Sequence, residues 1–95
     1  MSKATGYIYR IGDTEKVSEK FTKRNFVLEI DRGSPYPQFI EFQVTQNKCS
    51  ILDKISVGQK VDVSYNLRGR IWNDGPDGAR VYNTLEAWKI EQIAD

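Results

Sequence analysis

The sequence predicts an all-β domain over residues 1–95: five strands closed into a Greek-key barrel, with one short helix between the third and fourth. Three observations predict it. Several segments alternate apolar and polar residues with the period of two that marks a half-buried strand. Clusters of Gly, Pro, Asn and Asp separate them. Helical spacing occurs only once, in Asn47–Ile55.

Thr5–Ile11 (TGYIYRI) is aromatic and β-branched and reads as the first strand, Gly6 and Gly12 marking a close approach, a bend or an exit. Tyr7 and Tyr9 alternate with Ile8 and are expected to point outward, with a bulge near Arg10 returning Ile11 to the core. Gly12–Lys20 is polar and reads as a loop. Phe21–Asp31 sets Phe26, Leu28 and Ile30 on one face and Lys23, Asn25, Val27 and Glu29 on the other. After the turn residues Arg32–Pro37, Gln38–Thr45 alternates again, with Ile40, Phe42 and Val44 opposite Phe39, Glu41 and Gln43, so the two segments read as a hairpin. Asn47–Ile55 is the helix candidate, with Asn47 as its cap and Cys49 and Leu52, then Ile51 and Ile55, as candidates to face inward; it is too short to persist unpacked. Lys60–Trp72 places Val61, Val63, Tyr65 and Leu67 inward. Asn73–Ala79 is a loop, Arg80–Ile90 the last strand, and Glu91–Asp95 a fraying tail. If Leu85 and Ala87 face inward, Trp88 is buried only through a bulge, and packing is its expected role.

A helix between the third and fourth strands plugs the open end of such a barrel, and closure removes exposed strand edges. Strand count alone also allows an SH3-like barrel or a small split β-roll.

Composition narrows function more than it narrows topology. The chain has no histidine, which removes the usual general base near neutral pH and the commonest metal ligand. Cys49 is the only cysteine, so no intramolecular disulfide forms and no thiolate metal site can be assembled; its simplest role is in the core. Asp74 and Asp77 resemble calcium ligands, but no bidentate Glu follows at the required spacing. No glycine-rich phosphate loop precedes a helix, and carboxylate pairs such as Glu29 with Glu41 fit cross-strand pairing equally well. Neither an enzyme nor a cofactor is expected. The N-terminus lacks an apolar signal region and no apolar run approaches the roughly 20 residues that span a bilayer. A cytoplasmic location is therefore expected, in a bacterium or in the host of a phage.

Binding of single strands needs cations that follow the backbone and flat side chains on which bases stack. Arg68, Arg70 and Trp72 share one parity at the end of their strand, and Arg80 and Tyr82 lie across the loop, so the hairpin reads as a cationic, aromatic arm. Trp72 also fits a lid on the barrel mouth or a subunit contact, and the arginines fit a solvated surface. A second cluster joins Phe21, Lys23, Arg24 and Asn25 with Phe39 on the facing strand, and Tyr36 between two prolines is a further platform. The net charge is only +1, so affinity is expected to lean on stacking, with modest salt dependence.

Asn66-Leu67-Arg68-Gly69-Arg70, Trp72 and Tyr82–Ile90, with Thr5-Gly6-Tyr7-Ile8, Lys23–Glu29 and Val57–Val61, resemble a family of small bacterial proteins of unknown function common in Bacteroidetes and their phages. The resemblance covers nearly the whole chain. It implies the oligonucleotide/oligosaccharide-binding (OB) fold, and more distantly it is similar to bacterial single-stranded DNA-binding proteins and primosomal replication protein B. Bacterial single-stranded DNA-binding proteins carry an acidic, hydrophobic tail; here the sequence stops at Ile93-Ala94-Asp95, so tail-dependent recruitment is not expected.

The leading expectation is a non-catalytic, sequence-tolerant binder of single-stranded DNA (or RNA) in replication, recombination or repair, acting as a homo-oligomer. A protein-interaction module using Phe39 or Trp72 as its hot spot is the alternative. Oligosaccharide or small-ligand binding is a third reading, since aromatics at a barrel mouth also stack on sugars.

Overall fold

Period-two alternation decides which side of each strand faces inward, and the computed structural model, which describes residues 2–73 and 79–93, shows those inward sides meeting in one core. The elements run β1 (Ser2–Ile11), β2 (Glu15–Ser18), β3 (Phe21–Ile30), β4 (Gln38–Thr45), a 3₁₀ helix (Gln46–Lys54), β5 (Lys60–Asn73) and β6 (Ala79–Gln92). Five strands form the barrel in the order β1-β5-β6-β4-β3, closed by a β1–β3 pairing. All neighbours are antiparallel except β4 and β6, which touch in parallel at Gln43 and Glu86. This is the expected barrel, with the helix between its third and fourth strands.

Ile8, Phe26, Leu28, Phe42, Val44, Val61, Val63 and Ala87 fill the interior, and Cys49, Leu52 and Ile55 close one end. Phe26 stacks on Phe42 at 5.4 Å between ring centroids, and Tyr65 meets Phe42 edge-on at 5.2 Å. Burying one such side chain contributes about 1.5–3 kcal/mol.

Gly6 sits where β1 passes from β5 to β3, and a Cβ there would collide with the carbonyl oxygen of Glu29. The close approach read from Gly6 is this closure point. Three residues later comes the expected bulge. Ile8 pairs with Leu28 and Arg10 with Val27, leaving Tyr9 as the extra residue and turning Ile11 back onto the core. A second bulge lies in β6: Ser64 opposes Lys89 and Tyr65 opposes Ala87, so Trp88 is the extra residue and is half-buried.

Three expectations about elements are corrected. The Gly12–Lys20 loop contains β2, four exposed residues pairing with the start of β3 outside the ring. The helix is 3₁₀ rather than α, and Asn47 does not cap it: Thr45 precedes it in extended conformation without a side-chain cap. The physical reason is the spacing Cys49-Leu52-Ile55, a period of three that aligns these residues on one face at three residues per turn. Leu67, expected inward, is 72% exposed. Its parity is right, but β5 and β6 run on past the barrel rim, paired as far as Asn73 and Ala79, and leave a two-stranded arm with no core beneath it.

Candidate nucleic-acid interface

Residues directly opposite in an antiparallel ribbon share a face. On the arm Asn66 opposes Glu86, Arg68 opposes Thr84 and Arg70 opposes Tyr82, which gives one cationic and aromatic face, and the backbone pairing runs on through Trp72 and Arg80. The other carries Leu67 with Leu85, Gly69 with Asn83, and Ile71 with Val81. The side chain of Trp72, and Asp74 and Asp77, lie outside the described residues, so the expectations placed on them are neither supported nor opposed.

The cationic face forms one wall of a groove of about 560 Å³. Arg68, Arg70, Tyr82, Thr84 and Glu86 line it on the arm side; Val17, Phe21 and Lys23 face them from the β2–β3 hairpin, with Gln43 between. Lys23 is thereby brought to the arginines of the arm, although the sequence separates them widely. Three cations and one carboxylate share the groove. Both ion pairs here are loose: Lys23 to Glu15 at 3.9 Å and Arg68 to Glu86 at 3.5 Å, the two cationic side chains 32% and 64% exposed. Surface pairs of this kind hold their partners by only about 0–1 kcal/mol, so a phosphate can displace the carboxylates. Tyr82 is 46% exposed and offers a ring face to the same space.

Arg24 is corrected. It shares the inward parity of Phe26 and Leu28, and its guanidinium is held inside the fold: Nε donates to the Gly12 carbonyl at 2.7 Å, and Nη1 donates to the Cys49 carbonyl at 3.3 Å and to Asp53 at 2.8 Å. It ties the β1–β2 connection and the 3₁₀ helix to β3 and does not line the groove. Burial pushes the neighbouring Cys49 thiol above its ordinary pKa, with the Arg24 charge opposing. Cys49 is the core residue expected.

Phe39 and Tyr36 do not line the arm groove. Phe39 is 51% exposed and meets Tyr9 edge-on at 4.9 Å between centroids, making an aromatic pair on the outer surface of β1 and β4. Tyr9 was legible as an outward residue but not as the partner of Phe39, because the bulge sets the contact. These rings flank a shallow cleft with Arg10, Val27 and Glu41. Tyr36 lies at the β3–β4 turn, 80% exposed. Arg32 lies over the Tyr7 ring, 4.3 Å from its centroid.

The Phe39 cleft and the arm groove are ends of one trough. A second cleft shares Arg10, Val27 and Glu41 with the first; a third shares Asn25 and Glu41 with the second, and Gln43, Asn83 and Thr84 with the arm groove. Asn25 on its floor has a buried amide oxygen with no hydrogen-bond partner among the described residues. Also among the described residues, no group of three or more His, Cys, Asp or Glu side chains is arranged to hold a metal ion, and no helix is long and apolar enough to cross a membrane.

The comparisons fit this architecture. The chain is similar to the N-terminal domain of the PriB protein from Thermoanaerobacter tencongensis, a structure described as dimeric, at 18% identity over 99% of this chain and 96% of that one, with a TM-score of 0.68. At that identity the likeness shows the fold, and it is the OB-type barrel. No curated protein matches the chain. The sequence matches the domain of unknown function DUF3127 over residues 3–91, and the chain belongs to that family.

Proposed function

We propose that this protein binds single-stranded DNA without catalysing a reaction, along a trough running from the Tyr9–Phe39 pair over the outer face of β3 and β4 into the groove under the arm. The observation that carries this reading is the meeting of Lys23 with Arg68, Arg70 and Tyr82 in one groove. Cations and an open ring on one wall are what backbone tracking and base stacking require. The OB barrel adds support, because its outer sheet face and the loops beside it form a common oligonucleotide-binding surface. The likeness to the PriB domain, a structure described as dimeric, is consistent with a homo-oligomeric state; the same reading places the protein in replication, recombination or repair, in the cytoplasm of a bacterium or a phage host. Arg80 and Trp72 extend the site toward the arm tip, and Tyr36 toward the β3–β4 turn.

From Phe39 to Gln43 the trough follows β4 for about 13 Å, so the site falls toward the lower end of the roughly 4–16 nucleotides that one OB domain covers. Titration of labelled oligo-dT of increasing length tests both claims. Saturable binding is expected at low salt and micromolar protein, with affinity levelling off by about eight nucleotides. Absence of binding under those conditions sinks the proposal.

The second reading, a protein-interaction module, is favoured by the exposed Tyr9–Phe39 pair alone. It predicts that Phe39→Ala leaves oligo-dT binding unchanged.

A further inference from the structure

The arm's second face gives the trough only its Gly69–Asn83 rung and, at the barrel rim, Leu85. Arg68, Arg70, Tyr82, Thr84 and Glu86 line the groove, whereas Leu67, Ile71 and Val81 do not, although the Gly69–Asn83 rung borders it. Leu67, Ile71 and Val81 are 72%, 67% and 65% exposed, and Leu85 rests on the core, so this face continues the barrel interior beyond the rim. None of its six residues is charged, while Arg68, Arg70 and Arg80 all lie on the opposite face. Large aliphatic side chains grouped this openly mark a contact surface.

We propose that the apolar face of the arm packs against the same face of a second copy, giving a two-fold dimer whose nucleic-acid grooves look outward. This names the contact behind the homo-oligomer in the reading above and rests on that part of it. Three features select a second copy as the occupant. The face is self-complementary: a two-fold axis through the Gly69–Asn83 rung sets Leu67 and Leu85 of one copy against Ile71 and Val81 of the other, as an isologous interface requires. The axial rung is low, since Gly69 has no side chain and a Cβ there would come within 3.1 Å of Asn83 Oδ1. Charge permits this docking and opposes the reverse one. Two ribbons packed face to face stand about 10 Å apart, so arginine heads on the outer sides lie on the order of 20 Å apart, well beyond the ~8 Å Debye length at physiological salt. Docking through the arginine faces would press like charges together. A nucleic acid, by contrast, finds no cation on the apolar face.

The ribbon is smaller than the roughly 800 Å² per partner of a standard stable interface, so the dimer forms reversibly in the micromolar range. Sedimentation velocity over a concentration series tests it, with the full chain, Arg70→Ala, and the pair Leu67→Glu with Ile71→Glu. The full chain and Arg70→Ala are expected to pass from monomer to dimer together. The double variant is expected to dimerise at least about 100-fold more weakly, because each carboxylate would be buried without a partner, and to keep the far-ultraviolet circular dichroism of the parent. A double variant that dimerises like the parent overturns the assignment of the face while leaving the oligomer intact. A parent chain that stays monomeric overturns both. If the glutamates prevent folding, Leu67→Cys with Ile71→Cys decides the matter. These positions are about 13 Å apart within one arm and face the partner across about 10 Å, too far for a direct disulfide in either case. Cys49 is buried, so a thiol-reactive cross-linker that spans the facing positions but is shorter than the distance within one arm yields a covalent dimer only if the arms meet as described. Failure to cross-link overturns the proposal.

Discussion

Two neighbouring cations on β3, Lys23 and Arg24, divide the work of the molecule between them. Lys23 points outward into the groove and is loosely paired; Arg24 points inward and holds three acceptors. Removing Arg24 leaves the Gly12 and Cys49 carbonyls without their donor and Asp53 without its partner. Arg24→Ala is therefore expected to lower stability by about 2–3 kcal/mol, read as a shift in the urea midpoint, while the folded fraction binds oligo-dT with unaltered affinity. Tyr82→Ala is expected to do the reverse: stability within about 0.5 kcal/mol of the parent, and affinity lower by the ~1–3 kcal/mol of one base stack, or about 5- to 150-fold. A titration in which Arg24→Ala weakens binding more than Tyr82→Ala contradicts this division. The distinction was present in the sequence, since Arg24 shares the parity of Phe26 and Leu28. What could not be read there was its set of acceptors, one from the Gly12 connection and two from the 3₁₀ helix.

Elements were legible in proportion to how strongly one side of each is buried. β3 and β4 alternate cleanly because one face rests on the core, and even the bulge in β1 could be read, since Ile11 needed a way back inside. β2 was not legible: its four residues are all exposed, so no apolar period marks them, and only pairing with β3 makes them a strand. Leu67 failed in the opposite sense. Its alternation is real, but alternation records which side a residue takes and not whether anything lies beneath it. Barrel closure is the element-scale feature most open to test. At Gly6 the chain of β1 runs so close to the Glu29 carbonyl that no side chain fits. Gly6→Ala is expected to cost about 1–3 kcal/mol, with thermal melting lowered accordingly and the contacts of the arm unaffected. A melting temperature equal to the parent's would mean that the β1–β3 closure is looser than described.

At the scale of the whole molecule, the interface exists only because two distant parts of the chain are brought together. Each half of the groove was readable as a cluster, Lys23 with Phe21 in one and Arg68, Arg70 and Tyr82 in the other. Their meeting depends on β4 lying parallel beside β6 at Gln43 and Glu86, which no local pattern announces. The near-neutral composition then has a quantitative consequence. With Lys23, Arg68 and Arg70 as the phosphate contacts, the slope of log K against log salt is about −2 for a single strand, so raising salt from about 50 to about 200 mM weakens binding about 20-fold. A fall of a thousandfold or more, measured by the same titration at both concentrations, would show that cations outside the groove dominate.

The arm also constrains how its own length can change. Its rungs alternate between an arginine-bearing and an aliphatic side, and the register of β5 with β6 runs without interruption from the Trp88 bulge to the pairing of Asn73 with Ala79. Adding or deleting one residue in each strand reverses the sides of every residue beyond the change; two in each strand restore them. Tolerance to insertion in this hairpin should therefore come in steps of four residues, and a library of arms of graded length would show function returning at every second rung.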